Sequence, residues 1–158
     1  MTVAGFTEAM ASLAGGVCVV TCVDEAGTPR GFAATSVTSV SLDPPLVLVC
    51  LAKTSRSHPV FSRCEWLAVN VLTAEQQELA VRFSTPVADR FAGAGFGPGR
   101  GGAPVHPDAL ANVECRRIET VDAGDHSVLL AEVAAVRTRT GEPLVYHGRQ
   151  YQRLVPAN

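Results

Sequence analysis

From Val17 to Leu154 the chain is a succession of short apolar, β-branched runs divided by turn residues, without any regular alternation of strand and long helix. That order is restrictive. Parallel neighbours in a sheet need crossovers of about a dozen residues, usually helical, whereas antiparallel neighbours can be joined by a few turn residues. The predicted strands are Val17 to Val23, Arg30 to Leu42, Leu46 to Ala52, Trp66 to Leu72, Leu110 to Val121, His126 to Thr138 and Leu144 to Leu154. Asp24-Glu-Ala-Gly-Thr-Pro29 has turn chemistry, Pro44-Pro45 breaks the second run, and His147-Gly148-Arg149 predicts a hairpin inside the last. Leu46 to Ala52 is apolar throughout and reads as a strand buried on both faces. The expected fold is mainly β, an antiparallel barrel with a few short peripheral helices. Those helices are predicted over 5–14, where Phe6, Met10 and Leu13 recur before Gly15-Gly16, and over Ala74 to Phe83, where Leu79, Val81 and Phe83 are available for burial. A further helical turn is expected at Asp89 to Ala92.

A chain of 158 residues that is 47% hydrophobic and 18% charged can bury a core as one domain spanning 1–158. A net charge of −2 supplies no basic field for nucleic acid or an anionic membrane, and an aromatic share of 6% leaves little for base stacking. No apolar run approaches the roughly 20 residues of a membrane span, and the N-terminus lacks a leader pattern. Cys18, Cys22, Cys50, Cys64 and Cys115 are scattered through apolar runs without metal or CxxC spacing. They read as buried, reduced thiols, so a cytoplasmic location and no metal site are expected.

Gly97-Pro98-Gly99-Arg100-Gly101-Gly102 formally matches GxGxxG. A dinucleotide fingerprint needs a strand before it and an apolar helix after it, and Ala103-Pro-Val-His-Pro107 cannot start such a helix. Gly93 to Pro104 is therefore expected to be a mobile loop without packing power. Thr35, Ser36, Thr38, Ser39 and Ser41 crowd hydroxyls onto one stretch, either the solvated face of an edge strand or a ligand-binding strand end. Lys53-Thr54-Ser55-Arg56-Ser57-His58 combines hydroxyls with cations, either as a soluble turn or as a phosphate cradle. One short strand separates the two stretches, so they can line one cleft. His126, after Gly124-Asp125, opens a strand at a barrel rim. No GxSxG or Cys-His-Asp arrangement offers hydrolase chemistry.

These residues also resemble a known family. Phe6-Thr-Glu-Ala-Met10 leading into Gly16-Val-Cys-Val-Val-Thr21 is similar to the opening of short-chain flavin reductases, which have the FMN-binding split-barrel fold with Greek-key-like connections. Gly31 to Ser41, Asp43-Pro-Pro-Leu46 and Cys50-Leu51 resemble that family's most diagnostic block. Gly124-Asp125-His126 with Glu132-Val133, and Pro143 to Tyr146 with Gly148 to Tyr151, resemble two more. The likeness runs in order from about residue 5 to residue 154.

The resemblance implies a homodimer that binds FMN or FAD, with NADH or NADPH as electron donor. It implies that Thr35, Ser36, Val37 and Thr38, with Ser41 further along, approach the isoalloxazine and ribityl groups. Cys50, Leu51, Ala52, Lys53, Ser55 and Ser57 would approach the ribityl and phosphate groups. Asp89-Arg90-Phe91 resembles an Asp-Lys/Arg-Phe element beside the flavin. His126 would position the nicotinamide as the catalytic-site histidine, bordered by the hairpin carrying Tyr146, Arg149 and Tyr151. The implied reaction is hydride transfer to flavin, and family members often supply reduced flavin to a separate flavin-dependent monooxygenase. A non-catalytic flavin- or haem-binding split barrel, or an oxidase of the pyridoxamine-phosphate type, are the alternatives.

Overall fold

The computed structural model describes residues 1–157. Its elements are α1 (Val3–Ala11), β1 (Gly15–Gly16), β2 (Cys18–Val23), β3 (Pro29–Ala34), β4 (Val37–Leu42), β5 (Pro45–Ala52), α2 (His58–Phe61), β6 (Trp66–Val71), α3 (Gln77–Ser84), β7 (Gly97–Pro98), β8 (Pro104–Val105), β9 (Ala111–Ala123), β10 (His126–Thr138), β11 (Val145–His147) and β12 (Gln150–Gln152). Seven strands form one antiparallel sheet in the order β3-β2-β6-β9-β10-β5-β4. A small second sheet joins β1 to the β11–β12 hairpin, which turns at Gly148-Arg149 as expected.

The connection from β3 to β4 dictates the shape. These strands stand at opposite edges of the seven-stranded sheet, yet only Thr35 and Ser36 join them. In a flat sheet with strands about 4.8 Å apart, the edges would lie about 29 Å from each other. The three Cα steps from Ala34 to Val37 reach about 11 Å at most. The sheet must therefore curl until its edges meet at this point, which is barrel closure. At the join Ser36 extends the β4–β5 pairing: its carbonyl oxygen accepts from the Cys50 N–H at 3.3 Å and its hydroxyl donates to the Cys50 carbonyl at 3.1 Å. β3 and β4 form no ladder with each other, so the barrel is split there. This corrects the single strand expected over Arg30 to Leu42: the residues are extended throughout, but the chain changes edges at Thr35-Ser36.

Alternation fills the interior. Cys18, Val20 and Cys22 of β2, Phe32 and Ala34 of β3, Val49 and Leu51 of β5, Leu67 and Val69 of β6, Cys115 of β9 and Leu129 and Ala131 of β10 point inward, with Phe61 of α2 plugging one end. The outer face of β2 is covered as well. Val17, Val19, Leu72, Ala80, Phe83 and Leu144 form a second cluster beneath α3 and the β11–β12 hairpin. On α3, Ala80 and Phe83 are buried while Val81 is 43% exposed, so Val81 is not on the packed side. β5 is not buried on both faces either. Val49 and Leu51 are enclosed, but Leu48 and Cys50 share an outer face with Val128, Leu130 and Val121 that this chain leaves half open. The helix α1 begins and ends earlier than expected and buries none of its residues. No helix forms at Asp89 to Ala92.

The glycine-rich segment is the clearest correction to the sequence reading, because it packs against the barrel. Its β7–β8 pair lies against β2 and β6, and Ala103 and Ala109 are both 1% exposed. Gly101 has φ +59°, and a Cβ there would stand 2.3 Å from Trp66 Cδ1, so only glycine lets the backbone lie flat on the indole. Buried amides anchor the segment. Thr21 donates to the Pro104 carbonyl at 2.5 Å, and Asn70 Oδ1 accepts from the His106 N–H and from Asn112 Nδ2, both at 2.8 Å.

His106 Nδ1 accepts from the Asp108 N–H at 3.1 Å and is 3.2 Å from Gln76 Nε2, so the ring is held neutral. Burial pushes its pKa below the ordinary 6.5, against the opposing charge of Asp108. Between that lowered value and 6.5 the unfolded chain binds more protons than the folded one, so stability falls as pH drops through this window. Chemical denaturation between about pH 7 and pH 5 should show this loss. The slope should flatten in His106→Gln, and an unchanged slope would assign the acid sensitivity to other groups.

Candidate active site

The split places polar groups along one rim. His126 is in register with Ala52, which follows Cys50 and Leu51 on β5. Ser36 is hydrogen-bonded to Cys50, and Gly15, whose ideal Cβ would lie 3.2 Å from Thr35 Cβ, is paired with Tyr146. A continuous path therefore runs from His126 through Ala52, Cys50, Ser36 and Thr35 to Tyr146. Alternation decides which side chains can face a ligand on it. Leu51 is 3% exposed inside the barrel and Val37 packs against the same core, so each offers only its backbone outward. Thr38 is exposed on β4 beside Leu48, whereas Ser41 pairs with Leu46 at the far end of β4. The structure does not bring Ser41 to the rim: Leu46 lies four residues from Cys50 along β5, about 13 Å at the usual strand rise.

Beyond Ala52 the chain turns tightly into Ser55-Arg56-Ser57. The Ser55 N–H donates to the Ala52 carbonyl at 3.0 Å, and the Ser57 N–H to Ser55 Oγ at 3.3 Å. His58 Nε2 lies 2.9 Å from Ser127 Oγ and fixes the turn to β10. Ser55, Arg56 and Ser57 then form one wall of an open cavity of about 780 Å³, completed by Arg30, Gly31 and Asp89-Arg90-Phe91. Asp89 serves shape rather than charge, since its Oδ1 accepts from the N–H groups of Phe91 at 2.9 Å and Ala92 at 3.2 Å. Arg90 is held by carbonyls: Nη1 donates to Gly31 O at 2.8 Å and Nη2 to Thr85 O at 2.9 Å. Phe91 stacks edge-on to Phe83 with ring centroids 4.9 Å apart, which fixes the segment to α3.

Electrostatics give this cavity its character. Burial, and then the neighbouring charge of Arg56, lower the Arg90 pKa, so two guanidiniums repel each other across the pocket. An anion between them removes that repulsion and gains charge-assisted hydrogen bonds. Lys53 does not contribute as expected. Its ammonium pairs with Asp122 and donates to the Gly124 carbonyl at 2.6 Å, because the turn after β5 abuts the β9–β10 turn. Arg56 and Arg30 line the cavity instead, Arg30 with its guanidinium paired to Asp24 at 3.1 Å. Arg56 was legible in the cationic turn, but Arg30 reaches the pocket only because β3 becomes an edge strand.

His126 Nδ1 is 2.7 Å from Asp125 Oδ1. The hydrogen bond to His126, then its charge, hold the Asp125 carboxyl below its ordinary range. A carboxylate only accepts, so Nδ1 donates to Asp125, and Nε2 has no hydrogen-bond partner among the described residues. The hairpin stands elsewhere on the rim. Tyr146 and Tyr151 pack edge-to-face at 5.1 Å over the outer cluster, and Arg149, with φ +63°, pairs with Glu8 of α1 at 3.2 Å. Within one chain the pairings place His126 beside Ala52 and the hairpin beside Gly15, at the two ends of the Thr35–Ala52 path.

A split antiparallel barrel whose polar rim leads into an arginine-walled pocket defines the class of nucleotide-binding split barrels. Residues 10–155 match the model of the flavin reductase like domain. The chain belongs to that family. It is 46% identical over 151 residues to an actinorhodin polyketide dimerase of Streptomyces coelicolor, covering 95% of this chain and 85% of that one. It is 43% identical over 156 residues to an NADH:riboflavin 5'-phosphate oxidoreductase of Streptomyces pristinaespiralis, covering 96% and 88%. The structure of the Streptomyces globisporus NADH:FAD oxidoreductase SgcE6 with NAD and FAD fragments superposes with a TM-score of 0.91 at 33% identity, covering 97% and 93%. Other relatives are longer, and the chain spans 41% and 57% of two from Rhizobium meliloti.

Proposed function

We propose that the chain is an NAD(P)H:flavin oxidoreductase, in which a hydride passes from C4 of the reduced nicotinamide to N5 of FMN or FAD stacked against it. The observation that carries this reading is that the strand ends at Thr35–Thr38 and Cys50–Ala52, bonded through Ser36 and Cys50, run directly into the Ser55-Arg56-Ser57 turn that walls the cavity facing Arg90. The fit is chemical as well as spatial. Hydroxyls and backbone amides at Ser36 and Thr38 suit the polar edge of a flavin, and Arg56 and Arg90 suit its phosphate. Hydride transfer between two organic cofactors asks the protein for orientation and exclusion of water, not for a strong acid or base. Relatives named for NADH with FMN, and for NADH with FAD, support the choice of partners.

His126 offers Nε2 at the rim to orient the nicotinamide carboxamide while Asp125 fixes its ring. In His126→Ala, steady-state oxidation of NADH with added FMN should show a KM for NADH raised about tenfold, the worth of one hydrogen bond. Unchanged KM and kcat would remove His126 from the site. No NADH consumption with either flavin would overturn the reductase reading itself.

The working form is a homodimer, supported by the uncovered apolar face of Leu48, Val128, Leu130 and Val121 and by the exposed Phe6 and Met10 of α1. Light scattering should give twice the chain mass, and Leu130→Glu should reduce it to one chain. A wild-type monomer at micromolar concentration would refute this. A cytoplasmic setting suits five free thiols. The relatives that include reductase components of monooxygenases and a halogenase support a separate flavin-using oxygenase as the consumer of the product.

A further inference from the structure

Lys53, which takes no part in lining the arginine-walled pocket, holds both peptide groups that flank Asp125. It is the first residue after β5, and its backbone N–H donates to the Asp125 carbonyl at 2.9 Å. Its ammonium donates to the Gly124 carbonyl at 2.6 Å and pairs with the Asp122 carboxylate. The Gly124 carbonyl belongs to the peptide that enters Asp125, and the Asp125 carbonyl to the peptide that leaves it. One amide and one ammonium of a single residue therefore fix the backbone on either side of Asp125. Asp125 Oδ1 in turn meets His126 Nδ1 at 2.7 Å. We propose that Lys53 is a positioning residue for His126, which through Gly124 and Asp125 sets the direction in which the imidazole faces the nicotinamide. The role rests on the reductase reading, in which His126 orients that ring.

The turn needs such a restraint. Gly124-Asp125 is a two-residue connection between β9 and β10, with Gly124 at φ +65°. Two-residue hairpin turns come in alternatives that differ in the orientation of the central peptide, and glycine at the first central position admits both. The central peptide here carries the Gly124 carbonyl, the group that the Lys53 ammonium grips. A flip would turn that carbonyl away and rotate Asp125 with it, taking the carboxylate from His126. The Asp125 side chain is 93% exposed, so packing does not hold it.

Strand β10 is fixed by other means. It pairs with β5 on one side and β9 on the other, and His58 Nε2 lies 2.9 Å from the buried Ser127 Oγ. Loss of the ammonium therefore loosens the turn and leaves the strand in place. The Lys53 and Asp122 side chains are 38% and 81% exposed, and an ion pair so open to water adds little to stability. Its contribution is direction.

Lys53→Met keeps the backbone N–H and most of the side-chain length but removes the ammonium. Steady-state oxidation of NADH with saturating FMN should show a KM for NADH raised about threefold, the loss of one weak hydrogen bond, with kcat nearly unchanged. FMN affinity, read by fluorescence titration, and the melting temperature should match wild type. Because the effect passes through His126, adding Lys53→Met to His126→Ala should raise the KM no further. NMR of the His126 ring nitrogens, in protein labelled at histidine and free of NADH and flavin, should show the Nδ1–H form of wild type giving way to a mixture of tautomers in Lys53→Met. Equal increases in KM with and without His126 would overturn the proposal, as would unaltered ring-nitrogen signals. Weakened FMN binding would also overturn it, by making Lys53 a phosphate ligand. A wild-type protein that oxidises no NADH would sink the reductase reading instead, and the ring nitrogens would still report whether Lys53 holds His126.

Discussion

Asn70→Leu is expected to lower the unfolding free energy by about 3–5 kcal/mol, the cost of stranding several buried polar groups at once. Asn70 is completely buried on the outer face of β6, beneath the glycine-rich segment. Its Oδ1 accepts from the His106 N–H and Asn112 Nδ2, and its Nδ2 donates to the Val19 carbonyl at 3.0 Å. Leucine has similar bulk and no polar atom, so the loss is one of hydrogen bonds with little cavity contribution. The effect also propagates, because Arg137 Nη2 donates to Asn112 Oδ1 at 2.6 Å and to the His106 backbone carbonyl at 3.3 Å. Urea denaturation monitored at the single tryptophan, Trp66, reads the outcome directly, since Gly101 packs on that indole. A loss below about 1 kcal/mol would mean that the segment is held by its apolar contacts and that the amide network is incidental.

That network also marks the limit of what could be read from the sequence. Strand existence was legible because alternation and turn chemistry are local, and His126–Thr138 coincides with its predicted run to the residue. The edge change at Thr35-Ser36 was not, since an extended stretch of Val, Ser and Thr looks the same whether or not it switches neighbours. The glycine-rich segment was misread for a related reason. Glycines that permit close approach to Trp66 have the same composition as glycines in an unpacked loop, and only the partner tells them apart. At the site, the contact of Ser36 with Cys50, two residues before the end of β5, followed from the separation of the two hydroxyl-rich stretches by one strand. The partner of Lys53 did not, because Asp122 lies on a hairpin whose position depends on barrel closure. Ser41 failed because β4 carries it to the far end of the strand, opposite Leu46 and past a bulge between Ser39 and Ser41, away from the rim.

The second large effect is expected at Arg56. Replacing it with alanine should weaken FMN binding about 10- to 100-fold, equivalent to about 1.5–3 kcal/mol for a hydrogen bond to a charged group. Riboflavin, which lacks the phosphate, should bind wild type and variant equally. Arg56 is the better probe of the two facing guanidiniums because Arg90 also supports the pocket through the Gly31 and Thr85 carbonyls, so its loss would mix folding with binding. None of the ion pairs among the described residues involves Arg56. Its removal should therefore leave thermal stability unchanged, or raise it slightly by relieving repulsion with Arg90. The wild-type preference for FMN over riboflavin should also shrink as salt rises, since an exposed cation is screened within about 8 Å at physiological ionic strength. If Arg56→Ala binds FMN as tightly as wild type, the phosphate does not lie between the arginines. The flavin would then have to lie in the opposite direction along the rim, toward Gly15 and Tyr146.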